Sequence, residues 1–223
     1  MPTLDRDGDV YVLDLGDTEN RFHPDWLAET RAHLTTVESA EGPRSLVTTA
    51  TGKFFSNGLD LEWLAQHADQ LGAYIIDVHA LFAAALTLPV PTVAAVQGHC
   101  FAGGAMFALA HDFRVMRADR GYLCFPEVDI NIPFSRGMSA LIQGRLSKKT
   151  AHEAMTTGRR YGGGDALEAG IVDAVAHPDD VLSSAIELAA PLVGKAGPTL
   201  GIIKSRMYAE ALVALRDTEH PLD

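Results

Sequence analysis

The sequence predicts a single α/β domain, and residues 91–133 carry most of that prediction. Thr92–Val96 is a short run of β-branched residues and alanine, which is typical of a buried strand. Gly103 and Gly104 then open an apolar segment of helical character, after which Phe113–Met116 is strand-like again. The 223 residues, 47% of them hydrophobic, suffice for one domain with a substantial core. Strands that alternate with helices through glycine-rich turns indicate the α/β class.

The N-terminal segment supplies the first strand and the first helix. Val10–Leu15 alternates apolar and polar residues, as a half-buried strand does, and it follows the turn Asp7-Gly8-Asp9. The triplet Asn20-Arg21-Phe22 precedes a helix predicted at roughly residues 24–38. We expect this triplet to close a loop and lead into the helix.

A second strand and a functional loop follow. Ser45–Thr49 is the predicted strand, and residues 51–60 show no long periodicity, so they are predicted to be a loop. That loop leads into the short helix Leu61–Gln66. Asp60 stands directly before the helix, where it is more typical of an N-cap than of a catalytic residue.

Two further helices are predicted on either side of the central stretch. Asp69–Leu88 places apolar residues at spacings of three and four, and Pro89 ends the helix. His79 in this helix is more typical of a satisfied or partly exposed histidine than of a ligand. Ser135–Leu146 is also predicted to be helical, and Ser147 is the expected N-cap of the next helix.

The C-terminal part is predicted to be helical. Gly162-Gly163-Gly164 lacks the spacing of a phosphate-binding loop and does not follow a predicted strand, whereas Asp165 suits the N-cap of a helix at Ala166–Ala169. Helices are predicted at Asp179–Val193 and from Pro198 to about Leu215. The nine histidines show no metal-binding spacing, so no metal site is predicted.

Charge and cysteine usage limit the partners and the compartment. The net charge of −11 argues against nucleic acid and against an anionic membrane surface as partners. No uninterrupted apolar run reaches about 18 residues, and the sequence shows neither a signal-peptide pattern nor a peroxisomal C-terminal tripeptide. Cys100 and Cys124 lie in apolar surroundings and suggest core thiols, with a disulfide between them left open. We therefore predict a cytoplasmic protein.

The central stretch also carries the candidate chemistry. The first backbone N–H groups of a helix lack intrahelical partners, so the turn at Gly103 and Gly104 can present donors to a negatively charged oxygen. The alternative is that these glycines only allow the helix to pack tightly on the sheet. Glu127 stands among apolar neighbours, where a carboxylic acid has a raised pKa. Together these features are typical of an oxyanion hole beside a general base.

Three motifs resemble those of the crotonase, or enoyl-CoA hydratase/isomerase, superfamily. They are GKFFSNGLDL at Gly52–Leu61, QGHCFAGGAMFALAHD at Gln97–Asp112 and FPEVDINIP at Phe125–Pro133. The details are most similar to the plant-type monofunctional Δ3,Δ2-enoyl-CoA isomerases. The resemblance implies a spiral ββα superhelix over residues 1–190 and a C-terminal helical segment, residues 191–223, that packs on the core or on a neighbouring subunit. It also implies an acyl-CoA substrate, no separate cofactor, and a homotrimer or a dimer of trimers.

The resemblance assigns roles to individual residues. It implies that the backbone N–H groups of Ser56 and Gly103 form the oxyanion hole and that Glu127 is the catalytic base. The residues expected to line the CoA entrance are Ser56, Asn57, Gly58, Leu59 and Gly103. Lys204, in the last predicted helix, is a candidate for the CoA phosphates, with a solvated surface charge as the alternative.

One departure from the hydratases decides the expected subclass. Those enzymes carry a second glutamate on the helix after the oxyanion-hole glycine, and Met106 stands there in this chain. A thioether cannot deprotonate water, so we expect an isomerase with one base. Asp129 is left open as a group that tunes Glu127 or as a loop residue. Another crotonase-type reaction, such as hydration or hydrolysis, and a non-catalytic acyl-CoA-binding subunit remain the alternatives.

Overall fold

Two β-sheets form the centre of the protein, and the computed structural model describes residues 1–222. In chain order the strands are β1 (Thr3–Asp7), β2 (Val10–Asp14), β3 (Ser45–Thr49), β4 (Phe54–Ser56), β5 (Thr92–Val96), β6 (His99–Phe101), β7 (Phe113–Arg117), β8 (Leu123–Cys124) and β9 (Ala174–Ala176). The larger sheet has the order β1-β2-β3-β5-β7-β9, and the smaller one has the order β4-β6-β8. Among the nine strands named for residues 1–222, only β1 and β2 form an antiparallel pair.

The helices, numbered in the same way, cover both sheets. They are α1 (Pro24–Ser39), α2 (Leu61–Gln66), α3 (Leu71–Thr87), α4 (Gly103–Leu109), α5 (Glu127–Ile130), α6 (Arg136–Arg145), α7 (Lys148–Thr157), α8 (Gly163–Glu168), α9 (Val181–Ala189), α10 (Pro198–Met207) and α11 (Ala209–Leu215). Short 3₁₀ segments lie at Ala68–Gln70, Pro178–Asp180 and Ala190–Lys195.

The order of the elements is a repeated ββα unit. Strands β3, β5 and β7 of the larger sheet are each followed by a strand of the smaller sheet and then by a helix. Every residue of β3 and of β5 is buried, which explains their continuous runs of apolar and small residues. The predicted α/β class with a ββα spiral is thereby confirmed.

The unit that begins with β5 places the helix α4 in the middle of the core. All seven residues from Gly103 to Leu109 are buried, so this helix shows no polar face. The longer α3 packs against α1, α4, α10 and α11. By length and apolar composition alone, Ala68–Thr87 is a candidate membrane span, and half of that segment is buried inside the protein.

Several predicted caps and boundaries can be compared with the structure. Asp60 and Ser147 cap α2 and α7 as predicted, because their side chains accept from Trp63 N and Thr150 N. The prediction that Asp165 is an N-cap is wrong. The helix α8 begins at Gly163, two residues before Asp165, and Gly162 occupies the N-cap. Glycine-rich sequence does not normally favour a helix, so the earlier start carried no local signal.

The C-terminal helices are shorter than predicted. The helix expected from Pro198 to about Leu215 is divided into α10 and α11 at Tyr208, and the one expected at Asp179–Val193 ends as α9 at Ala189. The helix α11 packs on α6 and α3, and Leu212 and Leu215 belong to the main hydrophobic core. The division of the chain at residue 190 stays a prediction.

Candidate active site

A cavity of about 750 Å³ lies beside the N-terminus of α4. Its wall is largely apolar and includes side chains from α2 and α3, such as Leu64 and Ile75. The predicted site residues that line it are Asn57, Leu59, Gly103 and Glu127, together with Met106. A mostly apolar cavity with a few convergent polar groups is typical of a small-molecule site.

Glu127 is the first residue of the short helix α5, directly after Pro126. Its side chain is only 7% exposed, and its Oε2 atom has no hydrogen-bond partner among residues 1–222. Burial away from water disfavours the carboxylate and raises the pKa of Glu127 to about 7. A carboxylate with such a pKa can accept and return a proton near neutral pH.

The turn before α4 directs backbone donors at this cavity. Ala102, immediately before the helix, has a φ of 50°, which is uncommon for a residue other than glycine. Gly103 follows at the first helical position, where the N–H has no intrahelical acceptor. A Cβ atom on Gly103 would lie 2.9 Å from Cε2 of Phe22, so a side chain does not fit there.

The loop after β4 touches this turn. Gly58 has a φ of +76°, and a Cβ atom on it would lie 2.6 Å from the backbone nitrogen of Gly103. Leu59 follows directly and lines the cavity. Within residues 1–222, neither the Leu59 nor the Gly103 backbone N–H donates a hydrogen bond to another residue's backbone. The two amides are therefore free to bind an oxygen atom of a ligand.

The structure does not place Ser56 on the cavity wall, which corrects the predicted role of its backbone N–H. Ser56 is fully buried in β4, where it pairs with Cys100 of β6. Its hydroxyl donates to Asn20 O at 2.7 Å and accepts from Gly58 N at 3.1 Å. Ser56 thus fixes the loop, and Leu59 presents the amide at the cavity. A backbone donor carries no side-chain signature, so the sequence could not distinguish these neighbouring positions.

The segment before α1 holds the same loop from the other side. Asn20 donates through its side-chain amide to the carbonyl oxygens of Gly16, Phe54 and Phe55 at 3.2, 3.2 and 3.1 Å. Phe22 N donates to Gly58 O at 2.8 Å. The predicted role of this triplet in loop closure is confirmed.

Lys204 lies outside the cavity, and its predicted role in binding CoA is wrong. Its ammonium group is buried and donates to Leu88 O at 3.0 Å, to Val90 O at 2.8 Å and to Asp112 Oδ2 at 2.6 Å. Burial lowers the pKa of Lys204 despite the nearby carboxylate. All three protons of the ammonium have acceptors, so Lys204 ties α10 to the start of β5.

Three other side chains near the cavity, Met106, Glu62 and Asp129, differ from Glu127 in chemistry or in exposure. Met106, where the resemblance to the hydratases implies a second glutamate, is 1% exposed and lines the cavity. Glu62 lies at the rim with its side chain 80% exposed, 3.1 Å from Arg21. Asp129 would share a face with Glu127 only in an extended segment. Because α5 is helical, Asp129 is exposed and its carboxylate lies beside Gly158.

Two other features of the described chain bear on chemistry. Cys100 and Cys124 are both buried as free thiols, which settles the open question of a disulfide. Within residues 1–222, no group of three or more histidine, cysteine, aspartate or glutamate side chains could hold a metal ion. Arg160 also lines the cavity, and sequence reasoning missed it because one exposed arginine has no distinctive context.

Comparison with known proteins identifies the family. The family model described as enoyl-CoA hydratase/isomerase matches residues 6–220. The chain belongs to the enoyl-CoA hydratase/isomerase family. Among its relatives is enoyl-CoA delta isomerase 3 of Arabidopsis thaliana, which is 39% identical over 222 residues and is aligned over 94% of this chain and 93% of its own length. A putative enoyl-CoA hydratase of Thermus thermophilus is 33% identical, with 94% and 85% of the two chains aligned.

Solved structures of this enoyl-CoA hydratase/isomerase family share the fold. An enoyl-CoA isomerase of Mycobacterium tuberculosis in its apo form superposes with a TM-score of 0.88 at 26% identity, covering 97% of this chain and 95% of the other. The human mitochondrial delta3-delta2-enoyl-CoA isomerase has a TM-score of 0.85 at 22% identity, with 98% and 92% of the chains covered. The spiral arrangement predicted from the motifs is thus the arrangement of the family.

Proposed function

We propose that this protein is a Δ3,Δ2-enoyl-CoA isomerase, which moves the double bond of an acyl-CoA thioester through a one-base 1,3-proton transfer. The observation that carries the proposal is Glu127, a buried carboxylate with a pKa of about 7 and a free oxygen atom in an apolar cavity. The similarity to plant enoyl-CoA delta isomerases over nearly the whole chain supports the same reaction.

The backbone supplies the other half of the chemistry. Removal of a C2 proton from a 3-enoyl thioester places negative charge on the thioester oxygen. The Leu59 and Gly103 N–H groups are our candidates for stabilising that charge, and one such donor contributes on the order of 10²–10³ in rate. Glu127 then returns the proton to C4, and positioned acid–base catalysis contributes about 10²–10⁴. The product is the conjugated 2-enoyl thioester.

Hydration is the second candidate reaction, and the Thermus relative described as a putative hydratase is an argument for it. Hydration requires a group that orients and activates water. Met106 offers neither a donor nor a base at the position that a glutamate occupies in the hydratases. A non-catalytic acyl-CoA-binding subunit would have no use for a buried carboxylate of raised pKa. We therefore place isomerisation first.

Turnover of 3-hexenoyl-CoA and of 2-hexenoyl-CoA by the purified protein tests this order. The isomerase proposal expects conversion of the first and little addition of water to the second. Glu127→Gln should abolish conversion and leave acyl-CoA binding intact, because glutamine keeps the shape and cannot act as a base. Glu62→Gln is the matched control at the cavity rim and should remain active. Rapid hydration by the wild type would overturn the isomerase proposal.

We propose that Arg160, and not Lys204, binds the phosphates of CoA. Arg160 is an exposed guanidinium on the cavity wall, whereas Arg21 is held by Glu19 and Glu62. Arg160→Gln should raise KM and leave kcat unchanged. Arg159→Gln is the matched control, since Arg159 pairs with Glu153 and lies outside the cavity.

We further propose a homotrimer or dimer of trimers in the cytoplasm, with no cofactor beyond the CoA of the substrate. Exposed apolar side chains on α10 and α11, among them Ile202, Met207 and Val213, support association between subunits. The two buried free thiols are consistent with a reducing compartment. Sedimentation that yields the mass of one 23.9 kDa chain would contradict the oligomer.

A further inference from the structure

A serine–histidine pair forms part of the cavity wall, and the mechanism above does not use it. Ser135 is the N-cap of α6 and lines the same cavity as Glu127. Its Oγ lies 2.8 Å from Nε2 of His79, which follows Ile75 by one turn on α3. Ser135 is 6% exposed and His79 is 1% exposed. Both side chains are therefore shielded from bulk water.

The surroundings of His79 determine which ring nitrogen carries its proton. Burial lowers the pKa of His79 to about 4, so the imidazole is neutral at neutral pH. Its Nδ1 atom has no hydrogen-bond partner among residues 1–222. Because a buried N–H without an acceptor is costly, the favoured tautomer has a bare Nδ1 and a proton on Nε2. His79 then donates its proton to Ser135.

This bond turns the Ser135 hydroxyl into a donor. Its oxygen also accepts from Met138 N at 3.2 Å, the capping bond of α6. A hydroxyl oxygen has two lone pairs, and His79 and Met138 occupy both of them. Within the described part of the chain, the Ser135 hydroxyl makes no other hydrogen bond. Its proton is left to donate to something in the cavity.

Glu127 is the complementary group, because it lines the same cavity and its carboxylate accepts no hydrogen bond from another residue among residues 1–222. Within the same residues, none of the charged or titratable side chains on the surrounding elements forms a salt bridge with it. They include Arg21, Glu62, His79, Cys124, Asp129, Lys148, Lys149, His152, Glu153, Arg159 and Arg160. Within residues 1–222, Ser135 and Glu127 share no direct hydrogen bond, and both line the same cavity. A water molecule in that cavity that accepts from the Ser135 hydroxyl and donates to the Glu127 carboxylate would connect them.

We propose that Ser135 is a further functional residue of this site and that His79 is its positioning residue. The Ser135 hydroxyl donates to the Glu127 carboxylate through one bridging water and thereby favours the ionised form that acts as base. A hydrogen bond to the charged form of a carboxyl group opposes the effect of its burial. This inference rests on the proposed isomerase function for its kinetic test, and a titration without substrate tests it separately.

Ser135→Ala is the first test. The acid limb of kcat/KM for 3-hexenoyl-CoA should move up by about one pH unit, because a hydrogen bond to a charged group is of that strength. Nuclear magnetic resonance titration of ¹³C-labelled glutamate carboxyls, with the Glu127 signal assigned by its loss in Glu127→Gln, should show the same shift without substrate. Ser147→Ala is the matched control, because it also removes an N-cap serine, that of α7, away from the cavity.

His79 provides variants that keep the capping bond of Ser135. His79→Leu removes the donor to Ser135 and should shift the Glu127 titration as Ser135→Ala does. His79→Gln places an amide N–H at a similar reach and should stay closer to the wild type. If Ser135→Ala and His79→Leu titrate like the wild type, the proposal is overturned. If Ser135→Ala does not fold, the comparison of His79→Leu with His79→Gln tests the proposal instead. If the wild type has no isomerase activity, the nuclear magnetic resonance titration of Glu127 still tests it.

Discussion

Replacing Gly58 by alanine should disable the proposed oxyanion hole without touching Glu127, the proposed base. The new methyl group would lie 2.6 Å from the Gly103 nitrogen, 3.1 Å from the Ala102 Cβ and 3.1 Å from Phe101 O. Two of these atoms belong to the backbone, so the loop that carries Leu59 must move instead. Since one lost donor costs on the order of 10²–10³ in rate, a displaced loop should lower kcat by at least that factor.

Gly8 offers a matched control for the backbone strain. Its φ of +58° is also left-handed, and a Cβ atom on it would have no neighbour within 4 Å. Both alanine variants therefore bear a left-handed residue, which costs about 1–3 kcal/mol of folding free energy. Only Gly58→Ala adds the contact with Gly103.

Two measurements on each variant separate these effects. Urea unfolding gives the loss of stability, and initial rates with saturating 3-hexenoyl-CoA give kcat. Gly8→Ala should lose stability and keep kcat, whereas Gly58→Ala should lose both. If Gly58→Ala were stable and as active as Gly8→Ala, the Leu59 and Gly103 amides would not form the hole.

Two further outcomes follow from buried charges. Lys204→Met should destabilise the protein by about 3 kcal/mol in urea unfolding, because Asp112 loses its buried partner. The KM for the acyl-CoA should not change. A raised KM with unchanged stability would instead support Lys204 as a CoA ligand. The isomerase rate should rise with pH, and the midpoint of this rise should lie near pH 7. Burial raises the pKa of Glu127 to about 7, and only its ionised form can act as a base. A midpoint near pH 4 in the pH–rate profile would contradict Glu127 as the base.

The elements that the sequence predicted well are those with a strong local signal. The strands β3 and β5 coincide with the predicted Ser45–Thr49 and Thr92–Val96, because fully buried parallel strands appear as continuous runs of β-branched and small residues. Asp60 and Ser147 were predictable as caps because their side chains act on backbone groups only three residues away. Glu127 was recognisable because a carboxylate among apolar residues is rare.

What the sequence could not provide depends on contacts between distant segments. Lys204 binds Leu88 O and Val90 O, more than a hundred residues away, and nothing near position 204 indicates those acceptors. The Ser135–His79 bond likewise joins residues 56 positions apart. The helical turn at Glu127 follows from tertiary packing, since Glu127–Ile130 is too short to be a stable helix by itself.

The raised pKa of Glu127, the proposed base, has a cost in stability that Glu127→Gln should reveal. Between an ordinary value of 4.5 in the unfolded chain and about 7 in the folded protein, the folded state binds the additional proton, so stability falls as pH rises through this window. The difference amounts to about 3 kcal/mol when complete. Glutamine does not titrate, so the variant should gain stability relative to the wild type from pH 4 to pH 8. If the unfolding free energies of the wild type and of Glu127→Gln differed by the same amount at every pH in this range, Glu127 would have an ordinary pKa. Burial in the apolar cavity would then not explain how Glu127 acts as a base near neutral pH.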